Sequence, residues 1–128
     1  MENLSWENAD LGISFSVAYG RITVFKTTLK DIGLPLYFRF LLDTENGKLA
    51  VEKCSYQSSG AHQLPEDTSH DGYELKNMDM VRFIYQTCGW AMKSTYRIRG
   101  IAVPDRDMVV FDLTTALRVT KSQNNETL

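Results

Sequence analysis

The sequence predicts an α+β fold: a small pseudo-symmetric β-barrel built from two strand-helix-hairpin halves. Three observations carry this expectation. Alternating apolar and polar residues mark short strands on both sides of an irregular stretch, residues 55–72. Each half places one short helical segment ahead of a hairpin, and the segments end at Gly33 and Gly89. The order strand, helix, strand, strand then repeats, although identity between the halves is slight. With 128 residues the chain has enough material for one such domain.

In the first half, Ile13, Phe15, Val17 and Tyr19 alternate with Ser14, Ser16 and Ala18, which is the pattern of a half-buried strand over 13–19. A tight turn is expected at Tyr19-Gly20-Arg21, where Gly20 supplies a positive φ. Ile22 and Val24 mark the return strand, read as reaching Lys26. Thr27 or Thr28 is the expected helix N-cap, and Leu29 and Ile32 share one helix face. Pro35 blocks further helix. Tyr37 to Leu42 reads as a third strand, Asp43 to Gly47 as a turn in which Asn46-Gly47 is the strongest hairpin signal, and Lys48 to Cys54 as the fourth strand.

Residues 55–72 gather Ser, Gly, His, Pro and Asp and read as a linker or long loop. The expected organisation is therefore 1–54, a first half with an N-terminal extension; 55–72, the connection; and 73–128, a second half with a polar tail. All three belong to one compact domain. In the second half Tyr73 to Leu75 is a short strand. Asn77 caps a helix whose first turn contains Asp79, and Val81, Ile84 and Cys88 fall on one buried face. Tyr96 to Ile98 and Met108 to Leu113 form the second hairpin around a turn at 103–107. Thr114 to Arg118 reads as one closing helical turn.

Composition narrows the function. Fourteen Lys and Arg stand against sixteen Asp and Glu, a net charge of −2, whereas strongly electrostatic nucleic-acid binders carry a clear basic excess. The charge is uneven: residues 73–99 hold Lys76, Arg82, Lys93, Arg97 and Arg99 against Glu74 and Asp79. No apolar run has the length of a membrane span, and the segment from Met1 to Glu7 lacks the basic and apolar regions of a signal peptide. Cys54 and Cys88 are then expected as reduced thiols in a cytoplasmic protein.

The stretch from Ile13 to Leu34 joins a hairpin turning at Gly20-Arg21, an Ile/Val-rich strand and a brief helix closed by Gly33. This order resembles the swapped-hairpin DNA-binding domain of the AbrB/MazE/SpoVT family. The resemblance covers residues 13–54, and 73–113 in topology. It implies interlocked hairpins building one barrel, with the second half supplying the partner within the chain or a homodimer supplying it. It further implies an AbrB-like DNA-binding transcriptional regulator or antitoxin-type protein acting on duplex DNA. Arg21, Lys26 and Lys30 match the family's DNA-facing positions. Arg82, Lys93, Arg97 and Arg99 make a candidate second patch, with Arg97 and Arg99 on one strand face. The competing expectation for the strand cations Arg39, Arg97 and Arg99 is cross-strand pairing with Glu52, Glu74 or Asp112.

A different class also fits the sequence: a non-catalytic protein-binding inhibitor from a mobile element, anti-CRISPR-like, that targets a nucleic-acid-processing enzyme. The uncharged first strand favours protein binding, and the Gly20-Arg21 turn favours DNA. The acidic segment 64–71 would imitate phosphate for a basic partner. His62, Asp67, His70 and Asp71, with Cys54 or Cys88, match no zinc spacing, so no metal is expected. No phosphate loop, nucleophile elbow or cofactor motif is present, and the chain reads as non-enzymatic without a cofactor. Trp6 is read as either a core anchor or part of a binding patch.

Overall fold

The structure, a computed structural model, describes residues 10–66 and 72–119. The expectations for Trp6, Asp67, His70, Asp71 and the polar tail lie outside these residues. The elements are β1 (Gly12–Ser16), β2 (Arg21–Phe25), α1 (Lys26–Asp31), β3 (Tyr37–Asp43), β4 (Lys48–Cys54), β5 (His62–Gln63), β6 (Gly72–Lys76), α2 (Met78–Cys88), β7 (Thr95–Val103), β8 (Met108–Asp112) and β9 (Leu117–Val119). Among the described residues nine strands form one antiparallel sheet, ordered β5-β3-β4-β8-β7-β1-β2-β6, with β9 beside β7. The sheet curls into a half-barrel whose concave side holds the core.

Strands of the two halves interleave. β2 lies against β6 with Thr23 opposite Glu74, and β4 lies against β8 with Ala50 opposite Val110. β1 pairs with β7 (Ile13 opposite Ile98), while β5 pairs with β3 (His62 opposite Phe38). Inward-facing Ile13, Phe15, Ile22, Val24, Phe38, Leu49, Val51, Ile98, Val109 and Phe111 are almost fully buried. Burial of this alternating apolar set is the main term holding the sheet closed. α1 packs on β1, β2, β6 and β8, and α2 sends Val81, Ile84 and Tyr85 into the same core.

Several local expectations are corrected. β1 ends at Ser16 rather than running to residue 19. Residues 17–20 form a four-residue turn closed by Tyr19 N–H to the Ser16 carbonyl and Gly20 N–H to the Val17 carbonyl. Val17 is buried and its amide donates to the Tyr85 hydroxyl at 3.3 Å, whereas Tyr19 is exposed. Lys26 is the first residue of α1, not the end of a strand. Phe25 occupies the N-cap without a side-chain cap, so neither Thr27 nor Thr28 caps. Both threonines instead tie α1 to the start of β1. Thr27 donates to the Asp10 carbonyl at 2.7 Å. Thr28, inside the core, donates to the Gly12 carbonyl at 2.9 Å and accepts the Gly12 N–H at 2.8 Å.

In the second half Asn77 does cap α2, accepting from the Met80 amide at 3.1 Å, and Gly89 takes the left-handed conformation just past its end. Val81 and Ile84 are buried as expected, but Cys88 is only half-buried and Tyr85 takes the deeper position. The stretch 55–72 is not wholly irregular, since β5 forms within it and β6 begins at Gly72. The closing segment is a 3-10 turn at Leu113–Thr115 followed by β9, not a helical turn over 114–118. That turn lets the chain leaving β8 resume pairing with the same neighbour, β7, three residues out of step.

Candidate nucleic-acid interface

Because successive strand side chains alternate, each buried residue of β7, β1, β2 and β6 leaves its neighbours pointing outward. The register sets these outward residues in rows. Arg97, Ser14, Thr23 and Glu74 lie across the four strands in one row, and Thr95, Ser16, Arg21 and Lys76 in the next. Arg99 stands beside Gly12 one step further. The convex face is thus a strip of small hydroxyl side chains with Arg97 and Arg99 on one flank and Arg21 and Lys76 on the other.

One aromatic ring organises this face. A Cβ on Gly12 would come within 2.6 Å of the Phe25 ring, so only glycine lets the ring lie down over β1. The Arg97 guanidinium stands 5.6 Å from the Phe25 centroid, within cation–π range. Arg21 is held over the Tyr19 ring at 4.8 Å and lies 4.0 Å from Glu74. Arg99 pairs with Asp10 at 3.4 Å. The Arg21–Glu74 and Arg99–Asp10 ion pairs are solvent-accessible and therefore weak.

The face gathers Arg21, Arg97 and Arg99 from the sequence-based candidates. Lys93, exposed in the loop before β7, lines a pocket of about 370 Å³ with Ser16, Tyr19 and Thr95, and so extends one end of the strip. Lys26 and Lys30 stand on α1 and Arg82 on the exposed side of α2, so these three belong to separate elements. Lys76, noted above only for its charge, is not among the candidate DNA contacts, although extending the Tyr73–Leu75 alternation by one residue places it outward. Its position opposite Arg21 follows only from the β2–β6 pairing.

The acid partners divide as the alternative expectation had it for some cations. Arg39 donates to Glu52 at 2.9 Å and Lys48 to Asp112 at 3.1 Å, on the other end of the sheet. Asn46 and Thr114 donate to Asp43 and Asp112 respectively, and these bonds lower the carboxyl pKa values below their ordinary range.

Other chemistry finds less support. Among the described residues no three His, Cys, Asp or Glu side chains cluster as metal ligands. His62 packs on the Phe38 and Phe40 rings, and burial lowers its pKa, which favours the neutral imidazole. A second pocket, about 550 Å³, lies between the Asn46-Gly47 turn and the end of α2, with Cys88, Trp90 and Tyr96 in its wall. Burial pushes the Cys88 thiol up, away from the thiolate a nucleophile requires. No helix among the described residues is long and apolar enough to cross a membrane. Comparison of the chain with models of protein families, with curated proteins and with solved structures returns no match.

Proposed function

We infer that the protein is an AbrB-like DNA-binding regulator or antitoxin-type protein that meets duplex DNA with the convex face of β7, β1, β2 and β6. The observation that carries this reading is the convergence of Arg21, Lys76, Arg97 and Arg99 around Ser14, Ser16 and Thr23. Arginines and lysines neutralise phosphates, and short hydroxyl side chains between them permit close approach of a groove edge. The interleaving supports the swapped-hairpin resemblance. β1 of the first half lies beside β7 of the second, and β5, from the stretch between the halves, lies beside β3. β2 meets β6 and β4 meets β8 across the two halves. The chain then reads as two intertwined copies of one unit, as a two-chain barrel would be if its chains were joined.

The test is duplex binding followed by fluorescence anisotropy at several salt concentrations. Affinity should fall steeply with salt, and Arg21→Ala with Lys76→Ala should reduce the log–log slope by about two, one per lost phosphate contact. Lys26→Ala with Lys30→Ala, on a separate element, should change the slope less. Equal, salt-insensitive binding by all three proteins refutes the mechanism.

A second reading, an anti-CRISPR-like protein-binding inhibitor, is favoured by one specific feature. Glu74 and Asp10 already stand beside Arg21 and Arg99, which weakens the field a phosphate would meet. Loss of all duplex binding near physiological salt would support this reading over the first.

A further inference from the structure

The outward face at the other end of the sheet differs in character. Across β3, β4, β8 and β7 the register sets Leu41, Ala50, Val110 and Ile101 in a single row. Ile101 is 72% exposed and Leu41 39%, and an open apolar groove of about 240 Å³ runs along Leu41, Ala50, Met108 and Val110. A large aliphatic side chain left this open on a regular strand is unusual when its neighbours across the sheet are also apolar.

The rims of this row carry charge in opposite order. On one side Arg39 of β3 stands opposite Glu52 of β4, reading positive then negative. On the other side Asp43 of β3 stands opposite Lys48 of β4, reading negative then positive, and Lys48 is itself paired with Asp112 of β8 at 3.1 Å. A two-fold axis laid along the apolar row, in the plane of the contact, carries each rim onto the other. Arg39 then faces Asp43 of the second chain, and Glu52 faces Lys48. Leu41 and Ile101 meet their own counterparts. Isologous contacts require such self-complementarity, because the same patch serves both chains.

We propose that this face binds a second copy of the chain through that two-fold. The inference stands apart from DNA binding, which uses the opposite flank of the sheet, and its test contains no DNA. The apolar row supplies the dehydrated centre and the four charge pairs supply the polar rim and fix the direction of the partner strands.

The test is sedimentation velocity on the full chain at about 50 µM, a concentration at which a micromolar dimer is populated. Wild type should sediment at twice the chain mass. Ile101→Glu should sediment as a monomer while keeping its circular dichroism spectrum, since an exposed residue contributes little to the fold. Arg39→Glu combined with Glu52→Arg keeps the pair within the chain yet sets like charges across the two-fold, and should also be monomeric. Leu117→Glu, exposed on β9, should remain dimeric. A second measurement fixes the axis: Ile101→Cys should be joined to its own counterpart by a short thiol-reactive cross-linker, which spans the distance of about 10 Å between stacked sheets. A monomeric wild type overturns the proposal. So does a dimer that survives both Ile101→Glu and the charge swap, or a failure of Ile101→Cys to cross-link unless Leu41→Cys is also present.

Discussion

Thr28 offers the sharpest measurement of how α1 is anchored. Its hydroxyl is fully buried and makes two bonds to one residue, donating to the Gly12 carbonyl and accepting the Gly12 N–H. It acts as a strand neighbour would, closing the polar groups of Gly12 where β1 begins. Thr28→Val preserves shape and removes both bonds. The Gly12 N–H and carbonyl are then left in the core without this partner. An unsatisfied buried polar group costs about 1–3 kcal/mol. Two groups set a ceiling of about 2–6 kcal/mol, and local relaxation of the site brings the expected loss to roughly 2–4 kcal/mol. Thr28→Ser keeps the hydroxyl and loses one methyl, for about 1 kcal/mol.

The two variants thus rank against hydrophobicity. Valine is the more apolar and the better isostere, yet it is the one expected to destabilise more. Urea unfolding followed by tryptophan fluorescence reads the difference, using the linear dependence of stability on denaturant. The m-value should stay constant across the three proteins. A Thr28→Val midpoint equal to or above that of Thr28→Ser would show that the hydroxyl bonds contribute nothing and that α1 is held by Leu29 burial alone.

Two further outcomes are expected. Ile84, 1% exposed on the inward face of α2, should cost about 2–5 kcal/mol on substitution by alanine, from lost transfer energy and the cavity left behind; a change below about half a kilocalorie in the same urea titration would mean the α2 face is not core. The Tyr85 hydroxyl is pushed from 10.0 up to about 12, chiefly by burial. The folded state therefore holds its proton where the unfolded state releases it. Stability should fall as pH rises above the unfolded value and continue falling toward the folded one. Tyr85→Phe should flatten that slope between about pH 10 and pH 12, as measured by thermal melts; an identical slope in both proteins would assign the alkaline loss to other groups.

The sequence made the α2 helix legible because its signals agree. Asn77 caps, Asp79 favours the first turn, Val81 and Ile84 share a face, and Gly89 ends it. The hairpin of β3 and β4 was equally plain, since the turn residues between Asp43 and Lys48 include Asn46-Gly47 and the alternation on each side fixes the register. The short α1 was harder. Six residues offer little periodicity, and two adjacent threonines supplied a capping signal that the fold uses for a different purpose. Local rules cannot see that Gly12 lies beside Thr28, because sixteen residues separate them in sequence.

The same limit governs the candidate surfaces. Alternation along one strand shows that Arg97 and Arg99 share a face, but it does not show which strand lies next to them. Lys76 joins Arg21 only because β6 pairs with β2, and Leu41 joins Ile101 only because β4 and β8 lie between their strands. Two of these pairings, β2 on β6 and β4 on β8, link one half of the chain to the other. A single hairpin would have exposed the edges of β2 and β4, which invite association with any extended chain. Pairing β2 with β6 and β4 with β8 closes those edges within the molecule and, by the same step, assembles two chemically distinct faces from residues scattered through the sequence. The basic, hydroxyl-lined face and the apolar row rimmed by inverted charge are therefore consequences of one topological choice. Shifting the register of β2 on β6 by one residue would turn Arg21 or Lys76 inward and expose Ile22 or Leu75. Burial of Ile22 and Val24 opposes that slip, so the apolar pattern that builds the core also holds the cations in place.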